Sequence, residues 1–167
     1  SCKSKSTVVE TSIEYGSNTA VGKYIPINDV KLYYEVYGEG QPLLLLHGNG
    51  SSIGAFNNQI PALAKKYKVY AIDSRAQGRS SDSTQELSYK LMADDIALFI
   101  KSLGLTNVNI VGWSDGGIIG IELAYAHPEL LNKVVAIGAN YNHDNFLAAV
   151  DRFEMEKDDP LIVSTNN

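Results

Sequence analysis

The chain has 167 residues, 44% of them apolar, with 14 lysines and arginines against 19 aspartates and glutamates and a net charge of −5. That length makes one domain, able to bury roughly 70% of the surface its unfolded form exposes. The basic residues are scattered, which argues against a nucleic-acid or anionic-membrane face, and the longest apolar run is far short of a membrane span.

In chain order, residues 1–22 read as a polar tether and lead-in. A short strand is expected over 23–27 and another over 31–37. Leu43, Leu44, Leu45 and Leu46 form an unbroken apolar strand, which needs both faces covered and so belongs inside a parallel sheet. A helix is expected over 56–66 and a strand over 69–72. The helix expected over 89–103 carries Met92, Ile96, Phe99, Ile100 and Leu103 at steps of three and four, with Gly104 as its stop. A strand over 108–113, a helix over 118–126 and a sixth strand over 133–137 follow. Strands alternating with helices predict an α/β fold: a mostly parallel sheet flanked by helices, with its core in 23–142. Residues 143–167 read as a helix, the acidic run from Glu154 to Asp159 and a loose end, the start of a separate segment.

The chemistry concentrates where the fifth strand meets its helix, at Gly112-Trp113-Ser114-Asp115-Gly116. A serine at the tip of a sharp strand-to-helix turn sits in strained backbone, and the residues two before and two after it must be small. Gly112 and Gly116 meet that demand, so Ser114 is the candidate nucleophile. Acyl transfer also needs two backbone N–H donors for the developing oxyanion. One comes from the residue after the nucleophile and one from the loop after the apolar strand. By position these are Asp115 and, in His47-Gly48-Asn49-Gly50, Asn49. His47 opens that loop and reads as its structural brace rather than as the general base.

These segments together resemble the α/β-hydrolase-fold serine hydrolases, which include esterases, lactonases and valacyclovir-hydrolase-like enzymes. The resemblance covers Lys31 to Gly38, the His47-Gly48 loop, Asp73-Ser74-Arg75-Ala76-Gln77-Gly78-Arg79-Ser80, Ala93-Asp94-Asp95-Ile96, the Ser114 turn and Ala126-His127-Pro128. Ala76 departs from it, standing where the family usually places glycine, and only a local backbone adjustment is expected. The resemblance implies a triad in the chain order serine, acid, histidine. After Ser114 the histidines are His127, at a helix end away from the active-site loops, and His143, beside Asp144 in the loop after the sixth strand. Asn140 stands near where some members carry the acid. Measured against the family, the seventh and eighth strands, the acid and the histidine are missing. The expectation is therefore a C-terminally truncated chain with strands one to six, whose exposed sixth-strand edge favours self-association.

The implied reaction is hydrolysis of a small ester-like substrate through an acyl-enzyme on Ser114, with Trp113 and Asp115 as substrate contacts. Serine at this position sets aside the dehalogenase and epoxide-hydrolase branches, which use aspartate there. The run Gly112 to Gly117 is similar to that of valacyclovir-hydrolase-like enzymes, which implies that Asp115 receives a substrate amino group. The rival reading is a non-catalytic fragment or pseudoenzyme that keeps the cleft without turnover. No metal or organic cofactor is expected, because no ligand-spaced cluster or nucleotide motif is present. Ser1-Cys2-Lys3-Ser4-Lys5-Ser6 resembles the processing point of a bacterial lipoprotein, which implies a lipidated Cys2 and anchoring in the cell envelope or periplasm. The alternative is a cysteine in a polar tail of a cytoplasmic protein.

Overall fold

The computed structural model describes residues 12–138 and the strand Ile162–Ser164. Cys2 and its tether, Asn140, His143, Asp144 and the acidic run lie outside the described residues.

The sheet is built outward from the unbroken leucine strand. β3 (Gln41–Leu46) pairs in parallel with β4 (Tyr67–Ile72) on one side and with β5 (Val108–Trp113) on the other. Period-two alternation divides its leucines between two cores. Leu44 and Leu46 pack under α2 (Tyr89–Ser102) and α3 (Asp115–Ala126), while Leu43 and Leu45 face Ile53, Phe56 and Ile60 on the opposite side. β2 (Val30–Tyr37) runs antiparallel to β4, and β1 (Gly22–Ile27) closes that edge as a hairpin partner. β6 (Leu131–Ile137) lies parallel to β5. The order is β1-β2-β4-β3-β5-β6-β7, the doubly covered, mostly parallel sheet that the alternating pattern predicts.

Two elements differ from the expectation. The helix expected over 56–66 is a 3-10 turn at Ile53–Phe56 followed by a five-residue helix, α1 (Gln59–Leu63). Pro61 explains the break, because a proline fits only the first turn of a helix and so fixes where this one starts. The sheet also does not stop at the sixth strand. β7 (Ile162–Ser164) pairs in parallel along β6, with Val135 opposite Ile162 and Ile137 opposite Ser164. Three residues are too few to give a periodic signal, and a parallel partner distant in sequence leaves no local trace.

The loop after β4 is wrapped around a buried carboxylate. Asp73 accepts from the Ile53 N–H at 2.9 Å and the Arg79 N–H at 2.8 Å. Arg75, fully buried, forks onto Asp95 with two 2.8 Å bonds and reaches Asp29 at 2.9 Å. Ser80 Oγ stitches the loop to β2 by donating to the Asp73 carbonyl at 2.6 Å and accepting from the Tyr33 N–H at 2.8 Å. Inside this frame Ala76 adopts a left-handed φ of 63°. The backbone keeps the conformation that suits glycine, and the alanine carries the strain, roughly 1–2 kcal/mol for a residue with a Cβ. Ala76→Gly is therefore expected to raise stability by about 0.5–1 kcal/mol after the added freedom of the unfolded chain is counted. A urea titration would read this as a higher midpoint at unchanged slope, and a lower midpoint would contradict it.

Candidate active site

β5 passes into α3 through one residue. Ser114 has φ 54° and ψ −117°, a conformation that costs a non-glycine residue about 1–3 kcal/mol and persists only where its surroundings enforce it. The enforcement is visible on both sides. The Ser114 N–H donates to the Ile137 carbonyl at 2.8 Å, and the Ser114 carbonyl accepts from the Gly117 N–H at 2.9 Å and the Ile118 N–H at 3.2 Å. A Cβ at Gly112 would overlap the Gly116 carbonyl, and a Cβ at Gly116 would overlap the Leu46 carbonyl oxygen. Both glycines are thus required by backbone contact. Helix geometry leaves the Asp115 and Gly116 N–H groups without acceptors inside α3, at the positive end of its dipole.

The loop after β3 abuts this turn. A Cβ at Gly48 would lie 3.3 Å from Ser114 Cβ and 3.9 Å from its Oγ. The Gly48 carbonyl is pinned by His47 Nδ1 at 2.7 Å and by the Ser51 N–H at 3.2 Å. His47 Nε2 accepts from the Ser74 N–H at 2.9 Å, so the ring proton sits on Nδ1 and is donated to Gly48. A peptide unit is planar and trans, so fixing the Gly48 carbonyl also fixes the Asn49 N–H on the opposite side. His47 is buried with both nitrogens engaged, in agreement with its reading as a brace. His127 caps the far end of α3, about 20 Å from Ser114 along a helix that rises ~1.5 Å per residue, and lies beside Asp94 and Glu129. Neither described histidine is placed to take the Oγ proton.

Asn49 and Asp115 line one open pocket of about 450 Å3, together with Gln77, Leu87, Tyr89 and Met92. Tyr89 Oη donates to Asp115 Oδ1 at 2.9 Å, and this bond, with partial burial, raises the phenol's pKa. Among the described residues the pocket wall carries one carboxylate and no lysine, arginine or histidine. Trp113, 48% exposed, faces elsewhere. It lines an apolar pocket of about 230 Å3 with Phe56, Val111 and Ile137, so the two neighbours of Ser114 look into different spaces. Of the residues expected at the site, Asn49 and Asp115 share the wall of this pocket, beside Ser114 in the chain, and Gln77 and Tyr89, which the sequence did not single out, line it with them. Tyr89 carries no signal beyond starting a helix, and Gln77 stands in a recognised loop with no role attached to it.

Two expectations follow from this packing. Gly116→Ala should cost about 3 kcal/mol, because the added methyl meets backbone that cannot yield, whereas Gly50→Ala, in open space at φ 71°, should cost about 1 kcal/mol. Comparable losses in urea titrations would contradict the close approach. Burial holds the His47 imidazole below its ordinary pKa of 6.5. Just below that pH the unfolded chain binds more protons than the folded one, so this contribution is complete above about 6.5 and is lost as pH falls through it. His47→Asn should flatten the decline of stability as pH falls below about 6.5, and an unchanged slope would assign the decline to other groups.

A sequence profile described as the alpha/beta hydrolase fold matches residues 41–157. A protein of Azorhizobium caulinodans named for carbamate hydrolysis, RutD, is 36% identical over 129 residues, covering 77% of this chain and 48% of that protein. A soluble epoxide hydrolase of Corynebacterium sp. strain C12 is 33% identical over 108 residues, covering 65% of this chain and 38% of its own length. The crystal structure of a serine hydrolase involved in carbazole degradation matches with a TM-score of 0.70 at 32% identity, over 74% of this chain and 49% of that one. The chain spans less than half the length of these relatives. With its sheet order, its strained serine turn and a family match over most of its residues, the chain belongs to the alpha/beta hydrolase fold family.

Proposed function

We propose that the protein is a serine hydrolase that cleaves neutral or cationic carboxylic esters and related acyl compounds through an acyl-enzyme on Ser114. The observation that carries this reading is Ser114 itself, held at φ 54° at the N-terminus of α3 with the Gly48–Asn49 peptide against it. Oγ attacks the acyl carbon and passes its proton to a base. The carbonyl oxygen takes the negative charge between the Asn49 and Asp115 N–H groups. The alcohol departs with the proton, and water then hydrolyses the Ser114 ester.

The similarity to a protein titled a serine hydrolase supports this choice. Resemblance to epoxide hydrolases does not favour epoxide opening here, for a chemical reason. A serine that opened an epoxide would be left as an ether, which water does not cleave, whereas a carboxylate nucleophile would be left as a cleavable ester. Asp115 does not occupy the strained turn position, which is held by Ser114, but is the first residue of α3.

The substrate's charge follows from the pocket wall. A carboxylate with no cation beside it among the described residues repels acid-bearing esters and tolerates neutral or ammonium-bearing ones. Residues 12–138 supply no base for Ser114, so the test uses the protein expressed from its complete gene. Labelling by a fluorophosphonate probe and hydrolysis of p-nitrophenyl acetate should both vanish in Ser114→Ala. Labelling that persists in that variant would reject the assignment. Asp115→Asn should narrow the kcat/KM preference for an alanine ester over a succinate half-ester by about tenfold, the effect of roughly 1.4 kcal/mol of lost charge discrimination. An unchanged ratio would remove Asp115 from substrate selection.

A further inference from the structure

We propose that Gln77 is a positioning residue for the oxyanion donor Asn49, acting as a splint from the β4 loop onto the β3 loop. This rests on the proposed role of the Asn49 N–H.

Asn49 stands between two glycines, Gly48 and Gly50, and both Asn49 and Gly50 are exposed. Gly50 has φ 71° and nothing within 4 Å of where a Cβ would point, so packing does not hold this loop. Glycines carry the largest backbone entropy to be lost, and a donor set between two of them keeps its direction only if hydrogen bonds fix the peptide planes on either side. One plane, Gly48–Asn49, is fixed by His47 and Ser51 through the Gly48 carbonyl. The other, Asn49–Gly50, is fixed by a single side chain, since the Gly50 N–H donates to Gln77 Oε1 at 2.8 Å.

Both restraints trace back to one segment. Ser74 holds His47 through its N–H, and three residues later Gln77 holds Gly50. That segment is rigid, because the buried Asp73 carboxylate and the Arg75 fork anchor it, and within it the left-handed Ala76 directly precedes Gln77. The strain stored at Ala76 thereby acquires a use. It sets the direction from which Gln77 leaves the loop toward Gly50.

Gln77→Met keeps the side chain's length and removes the amide acceptor, and Gln77→Glu keeps an acceptor oxygen. An oxyanion donor acts on the transition state, so Gln77→Met should lower kcat for p-nitrophenyl acetate by about tenfold or more with little change in KM. In 15N–1H spectra its Asn49 and Gly50 amide resonances should move while those of Gly112 to Gly117 stay in place. Gln77→Glu should restore the Gly50 resonance. An unchanged kcat in Gln77→Met, or Asn49 and Gly50 resonances that do not move, overturns the proposal. If the wild-type protein itself fails to hydrolyse or label, the serine-hydrolase reading fails, and the amide resonances alone then decide whether Gln77 holds the loop.

Discussion

The arrangement depends on one backbone contact, that of Gly116 at the start of α3 against the Leu46 carbonyl at the end of β3. Only a residue without a side chain permits it, and it sets how deeply α3 sits over the sheet. With α3 at that depth, Ser114 has no room for an ordinary turn and takes its left-handed conformation, and the loop after β3 comes to lie beside it. Gly120, one turn along, extends the same close packing, since a Cβ there would stand 3.1 Å from Ile110 and from Val134. Ser114 and the loop after β3 are thus brought together by strand order and helix depth rather than by a direct bond between them.

The second organising feature is the loop between β4 and α2. It encloses two buried polar groups, the Asp73 carboxyl, whose pKa burial raises, and the Arg75 guanidinium, each held by hydrogen bonds. Leaving either without its partner would cost several kcal/mol, so the loop has one conformation rather than many. From that rigid base it reaches β2 through Ser80, the 3-10 turn through the Ile53 N–H and the β3 loop through Ser74 and Gln77. A segment with no helix or strand of its own thereby sets the geometry of the candidate site.

The sheet and the sharp turn at Ser114 were legible in the sequence because each rests on a local constraint. Four consecutive leucines demand a strand covered on both faces, and a serine flanked at two residues by glycines demands a sharp turn. The interactions that escaped join residues far apart in the chain. Glu35 reads as an ordinary polar residue of a strand, yet it is fully buried and accepts from the Gly16 and Asn18 N–H groups, 19 and 17 residues away. The bonds of Tyr89 to Asp115 and of Gln77 to Gly50 span 26 and 27 residues, and no periodicity encodes them. The three-residue β7 was invisible for the same reason.

The most direct measurement is a crystal structure of the protein, expressed from its complete gene, after reaction with a phosphonate ester, whose tetrahedral adduct imitates the oxyanion intermediate. Phosphorus should be bonded to Ser114 Oγ, with one unesterified oxygen about 2.7–3.1 Å from both the Asn49 and Asp115 backbone nitrogens. An adduct on another residue, or an oxygen directed away from those two N–H groups, would contradict that arrangement.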